Sequence, residues 1–343
     1  MLRAIRTLNP GYFALVMSSG IVSIGLHLQD FTVASNVLML VSVAAYAALV
    51  LFSAWRVAAF RTAVRDDMTD SSRAFGFFTF IAGSNVLGVR LMMGGWHSTA
   101  AVLLAVGALT WLVLGYVVPW TAVLGTEQRP VLAKANGTWF VWVVASESVA
   151  VAAATLQPVY RELHRLLAAV AVFSWAVGLF LYAAAGIFVA ARLMQYPLKP
   201  TELTAPYWVS MGACSITVVA GARILEMADA PMVAATRGMI GGLAVVSWAF
   251  ATWLFPPLIA AGWWRHRTNR VPLSYDSSLW SIVFPLGMYA VAGMYLGQAD
   301  DLPLVGAVGA VELWLAVGAW ALVFVAMVRH VWKTVLWPSP ASA

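Results

Sequence analysis

Residues 278–293 read SLWSIVFPLGMYAVAG, from Ser278 to Gly293. The stretch carries no charge, and with its flanks it approaches the roughly 20 apolar residues that a bilayer-crossing helix needs. Yet Pro285 stands at its centre, directly after Phe284 and two residues before Gly287. Proline has no N–H to give a helix and bends it. Such backbone is tolerated at membrane depth where it packs on protein or lines a cavity, not where it meets lipid. The stretch therefore reads as an inner helix of a polytopic membrane protein.

The rest of the chain agrees. Of 343 residues, 62% are hydrophobic and 10% charged, with mean hydropathy +0.85. A soluble domain carries roughly 25% charged residues, so this chain cannot cover a water-facing surface. Apolar runs predict ten spans, at about 10–28, 33–56, 75–95, 99–124, 137–156, 163–193, 205–225, 235–263, 277–297 and 304–328. Short connections make neighbours antiparallel hairpins. One membrane domain fills residues 1–343, with a helical bundle over about 8–334 and a short cytoplasmic tail at 335–343. The basic start at Met1–Arg6 is followed by no convincing cleavage site, so the first span reads as uncleaved. Cys214 is the single cysteine, which leaves no disulfide framework.

The net charge of +6 follows from topology. With the N-terminus inside, Arg161, Arg165, Arg237, Arg90 and Arg223 fall on the outer side, and the remaining fifteen Lys and Arg lie on the cytoplasmic side. That excess predicts a multi-pass protein of the inner (plasma) membrane with both termini cytoplasmic. No nucleic-acid partner is needed to explain it.

The odd-numbered spans open alike: GYFALVMSSGIVSIG, AFGFFTFIAGSNVLG, GTWFVWVVASESVAV, PYWVSMGACSITVVA and SLWSIVFPLGMYAVA. Their aromatic anchors Phe13, Phe77, Trp139, Trp208 and Trp280 are 64, 62, 69 and 72 residues apart. The unit is one hairpin repeated five times in one orientation, which favours a ring about an axis along the membrane normal. Small or polar residues follow each anchor by about two turns, whereas the even spans are rich in Leu, Val, Ala and Trp. Ser19, Gly20, Gly83, Ser84, Ser146, Glu147, Gly212 and Gly287 are thus candidates to line a pore constricted at mid-membrane. For any one of them, tight helix packing through small residues is the competing reading. The five-fold pattern favours the pore.

NPGYF at Asn9–Phe13 and LWSIVFPLGMYAVA at Leu279–Ala292 resemble the tellurite-resistance/C4-dicarboxylate transporter family, which includes fungal malate permeases and plant guard-cell slow anion channels. The resemblance spans nearly the whole chain. It implies an all-α fold of ten helices as five hairpins in a quasi-five-fold ring, one pore per subunit, a homotrimer in the bilayer, and a phenylalanine of the ninth helix that plugs the pore. Here that gate is Phe284, aimed by Pro285. Better-known members bend several inner helices with proline; this chain has a central proline only in the ninth of its spans. The implied cargo is small anions: C4-dicarboxylates such as malate, or chloride, nitrate, sulfite or tellurite, with or without proton coupling.

Glu147 lies about 12 Å beyond Trp139 along a helix rising 1.5 Å per residue, near the midplane. An ionised, unpaired acid there is costly and marks a functional candidate, so it is expected to be protonated or paired. Arg90 and Arg223 fall about 20 Å past their anchors and are candidates for an anion funnel; the alternative is that they snorkel to the headgroups. His27, His97, His164, His266 and His330 lie at helix ends or loops, so no metal or cofactor is expected. No GxxxxGK[ST] motif suggests ATP-driven work. RDDMTD at Arg65–Asp70 contains DDxxD, a spacing that holds pyrophosphate through Mg²⁺ in membrane prenyltransferases. A membrane enzyme using Asp66, Asp67 and Asp70 is therefore the rival from another class, against a solvated turn that offsets nearby arginines. The leading reading is not an enzyme.

Overall fold

A computed structural model describes residues 2–125, 129–228, 230–299 and 301–336. The tail expected beyond residue 336 lies outside the described residues. Among the described residues, ten helices are long and apolar enough to cross a membrane: α1 Pro10–Leu28, α2 Thr32–Ala59, α3 Ala74–Met93, α4 His97–Leu124, α5 Gly137–Leu156, α6 Arg161–Gln195, α7 Ala205–Leu225, α8 Pro231–Thr268, α9 Ser277–Ala299 and α10 Pro303–Thr334. Among the described residues there is no strand.

The odd helices form the inside. Between 72 and 94% of their residues are buried, against 17 to 33% in the even helices, whose faces are left to lipid. Neighbouring odd helices pack in the cycle α1–α3–α5–α7–α9 and back to α1, which closes a ring of five. Each even helix packs on its own hairpin partner and on the inner helix of the next repeat.

The repeat extends to backbone detail. Every inner helix opens with one 3-10 turn: Pro10–Phe13, Ala74–Phe77, Gly137–Trp139, Ala205–Trp208 and Ser277–Leu279. Three of these turns are capped by a side chain that accepts from a backbone N–H two residues on: Asn9 from Gly11, Asn136 from Thr138 and Asp276 from Ser278. Each satisfies one of the free donors at a helix start. The five turns touch in the same cyclic order and form a collar at one end of the ring. Gly137 is required there. A Cβ on it would stand 2.2 Å from the Pro206 carbonyl, inside the backbone of the next turn.

Pro285 does not interrupt α9, whose α-helix runs from Trp280 to Ala299. Glycines take up the crowding. A Cβ on Gly212 of α7 would lie 2.9 Å from the Pro285 ring, and one on Gly287 would lie 2.9 Å from Ile21 of α1. The prolyl segment is seated against both neighbours in the ring.

Candidate functional site

On the ring axis, in the C-terminal halves of the inner helices, lies a cavity of about 20 Å³. All five inner helices wall it: Ile21 and Ile24 from α1, Asn85, Val86 and Val89 from α3, Ser148, Val151 and Thr155 from α5, Ile216, Val219 and Arg223 from α7, and Met288, Val291 and Tyr295 from α9. On each helix these positions recur every three or four residues, as one face of an α-helix must. The volume suffices for about one water. The wall is mostly aliphatic, and the Ser148 and Thr155 hydroxyls donate to Ala145 O and Val151 O of their own helix.

Phe284 precedes Met288 by one turn on the same face of α9, and is 1% exposed. The cavity wall on α9 begins one turn further on, at Met288, so Phe284 lies to the collar side of it along the helix. Arg223 stands toward the opposite end. It pairs with Glu226, and its guanidinium lies 5.4 Å from the Tyr295 ring centroid. The slot is narrow and mostly apolar, with one arginine in its wall.

The other candidate residues are turned elsewhere, and none of them is in the cavity wall. Ser19 accepts from Trp320 Nε1 of α10 at 2.9 Å, and Ser146 from Trp111 Nε1 of α4 at 2.8 Å. Ser84 Oγ lies 2.9 Å from the Tyr46 hydroxyl of α2. In each case an aromatic side chain of an outer helix reaches the inner helix of the next repeat. The matched polar centres are seams between hairpins. Gly20 faces Val86 and Ser42, and Gly83 faces Phe13 and Val16. Glu147 is fully buried between α5, α6 and α7: its Oε1 accepts from Thr217 Oγ1 at 3.1 Å, while Oε2 has no hydrogen-bond partner among the described residues. Gly178 of α6 makes room for it, since a Cβ there would stand 2.3 Å from Oε1.

Arg90 and Arg223 part company. Arg90 is 1% exposed and turned toward the first hairpin, where it donates to Ser23 Oγ of α1 at 2.8 Å and to Asn36 Oδ1 at 2.8 Å and Ser35 Oγ at 2.9 Å of α2. Among the described residues no carboxylate pairs with it. Of the two, only Arg223 faces the axis.

The three aspartates of RDDMTD do not converge. Asp67 lies between Arg56 at 2.6 Å and Arg73 at 2.8 Å. Asp70 accepts from the Ser72 amide and hydroxyl and pairs with Lys134 at 3.6 Å. Partial burial works to raise the Asp70 carboxyl, but those bonds and the lysine charge hold it below the usual carboxylate range. It therefore stabilises the fold above that range, and the contribution fades as acid protonates it. Asp66 is exposed. Among the described residues no group of three His, Cys, Asp or Glu is placed to hold a metal.

Comparison with known proteins gives one family model, described as voltage-dependent anion channel, over residues 7–328. An uncharacterized membrane protein of Mycobacterium tuberculosis is 55% identical over 157 residues, 46% of this chain and 80% of that protein. Two proteins of Methanocaldococcus jannaschii, each described as an uncharacterized transporter, are 21% identical over 198 and 199 residues, 57 and 58% of this chain and 56 and 57% of theirs.

Proposed function

Because the chain belongs to the voltage-dependent anion channel family, we propose that it conducts small anions along the axis of its five-helix ring, with Phe284 as the gate and the closed state as the one described. The observation that carries this reading is the axial slot, walled by all five inner helices, with Arg223 in its wall. Width and one fixed cation do the selecting, rather than a cage of ligands. Monovalent inorganic anions and slender dicarboxylates such as malate fit that chemistry. The ring sits in the plasma membrane with both termini cytoplasmic, as a trimer with one conduit per subunit.

Uptake into proteoliposomes tests it, with a panel of chloride, nitrate, sulfite and malate against matched cations. Anions are expected to cross and cations not. Equal leakage of both, or no more flux than in empty vesicles, sinks the reading.

Arg223 gives a sharper test. Its charge is partly cancelled by Glu226, which is half exposed. Glu226→Gln unmasks the guanidinium and is expected to raise anion flux several-fold at low salt. Arg223→Ala leaves the acid alone at the mouth and lowers flux by a similar factor. Both effects shrink toward 0.5 M salt, where the Debye length falls to roughly 4 Å. Salt-independent changes would remove Arg223 from the pathway.

Of the two transport modes, passive conduction is the one the geometry favours. Glu147, the acid at mid-depth of an inner helix, is walled off from the axial slot by its own packing. Glu147→Gln is accordingly expected to leave anion flux within about twofold of the parent, with no accumulation driven by a pH gradient in either. Uphill uptake in the parent that disappears in the variant would make the protein a proton-coupled carrier instead.

A further inference from the structure

A second cavity, of about 690 Å³, lies off the axis at the collar end of the bundle. The end of α8 forms one side, and the starts of α7 and α9 form the other. The local sequence, WWRHRTNR at Trp263–Arg270, crowds two indoles and three guanidiniums into eight residues. That pairing is characteristic of the membrane–water interface.

The cationic side of the cavity is built. Arg265 Nη1 is fixed by the carbonyls of Pro200 at 2.8 Å, Thr201 at 2.9 Å and Leu203 at 3.3 Å. Among the described residues nothing bonds its Nε or Nη2, and no carboxylate pairs with it. Arg267 lies over the Trp263 ring at 5.9 Å and likewise lacks an acid partner. The one acid in the wall, Asp276, has Oδ1 committed to the Ser278 amide at 2.7 Å. His266 Nδ1 is tied to Val271 O at 2.8 Å. Two guanidiniums therefore face a single, already engaged carboxylate. One to two turns back along α8 the lining turns apolar: Leu258 lines the cavity with Ile282 of α9, while Ile259 and Trp263, 58 and 64% exposed, carry its wall outward onto the lipid-facing surface of α8.

We propose that this cavity is a binding site for an anionic phospholipid, with the phosphodiester at Arg265 and Arg267 and an acyl chain laid along Leu258 and Ile259. A basic pocket between membrane helices at the interface takes an acidic headgroup by charge. The apolar side decides for a lipid over a soluble anion. A free phosphate would satisfy the guanidiniums but leave the greasy wall wet, whereas a lipid covers both. Because the starts of α7 and α9 line the same cavity, the bound headgroup would join the last turn of α8 to two members of the ring.

The test is native mass spectrometry of the full chain released from detergent containing equal phosphatidylglycerol and phosphatidylcholine. Two arginines near the surface give the parent a preference of roughly tenfold for phosphatidylglycerol. Arg265→Gln/Arg267→Gln is expected to bring that ratio to within about twofold of parity, while Arg329→Gln/Lys333→Gln, at the same end of the bundle, leaves it unchanged. Arg265 anchors a loop, so Arg267→Gln alone is the second arm; its guanidinium bonds no acceptor among the described residues, and its loss is expected to lower the ratio about threefold. Equal retention of the two lipids by the parent overturns the site, as does an unchanged ratio in the Arg267 variant. Displacement of phosphatidylglycerol by millimolar inorganic phosphate would show a soluble-anion site and also overturn it. So would a shift in subunit number with unchanged lipid content in the double variant, which would mark the cavity as an interface between copies.

Discussion

Phe284→Ala should raise anion conductance by at least about tenfold. The axial slot holds about 20 Å³, enough for roughly one water. Conduction through so narrow an apolar constriction is limited by dewetting, and removing an aromatic ring lets water and a hydrated anion through. The ring is also a buried core side chain, so the variant is expected to lose up to about 3–5 kcal/mol of stability. Conductance rising as stability falls is what separates a gate from a packing residue. Phe284→Leu should lie between the two. A folded Phe284→Ala protein with parental currents would place the ring in the core alone.

Asp67→Asn is expected to cost stability on the same scale, through a stranded charge rather than a cavity. The carboxylate is shared by Arg56 and Arg73, and the Arg56 and Asp67 side chains are 6 and 10% exposed. Removing one partner of a buried pair strands the other, at a cost of about 3–5 kcal/mol. Thermal unfolding in detergent should show a midpoint lowered by more than about 5 °C, while the exposed Asp66→Asn changes it little. Anion flux measured below the transition should be unaltered by either change. The opposite result, with stability kept and a Mg²⁺-dependent activity lost, would restore the aspartate-rich loop as a catalytic site.

The number of spans, the division into inner and outer helices and the five-fold repeat were legible in the sequence, because each rests on a local signal. Lipid-facing residues must be apolar, and each repeat restates its aromatic anchor. What could not be read was rotation. Ser146 and Ser148 are two residues apart and so point to opposite sides of α5: the first meets Trp111, the second lines the slot. Arg90 and Arg223 stand 13 and 15 residues past their anchors. Those two extra residues turn a helix by roughly 200°, which sends Arg90 to α2 and Arg223 to the axis. A signal for the seams was present. Tyr46, Trp111 and Trp320 are polar-tipped aromatics well inside apolar outer spans, away from the interface where such residues usually sit. Asn85, Thr155 and Tyr295 were findable only by counting helical turns from a residue already known to face the slot.

The ring has no first or last member in space, but the ribosome makes it from one end. Chains are synthesised N-terminus first, at about 5–20 residues per second. The contacts that shut the ring join its oldest and newest parts: the Tyr12 hydroxyl to Tyr275, 263 residues on, Ser18 Oγ to Trp280 O, and Trp320 Nε1 to Ser19. Until the ninth helix leaves the translocation machinery, four hairpins form an open arc, with one polar flank of α1 turned to lipid and its serines unmatched. The helix that brings Phe284 is also the one that closes this gap. On the proposed gating, no stage of biogenesis has a sealed cylinder without its plug, and an unfinished chain offers no conduit through which the membrane could leak.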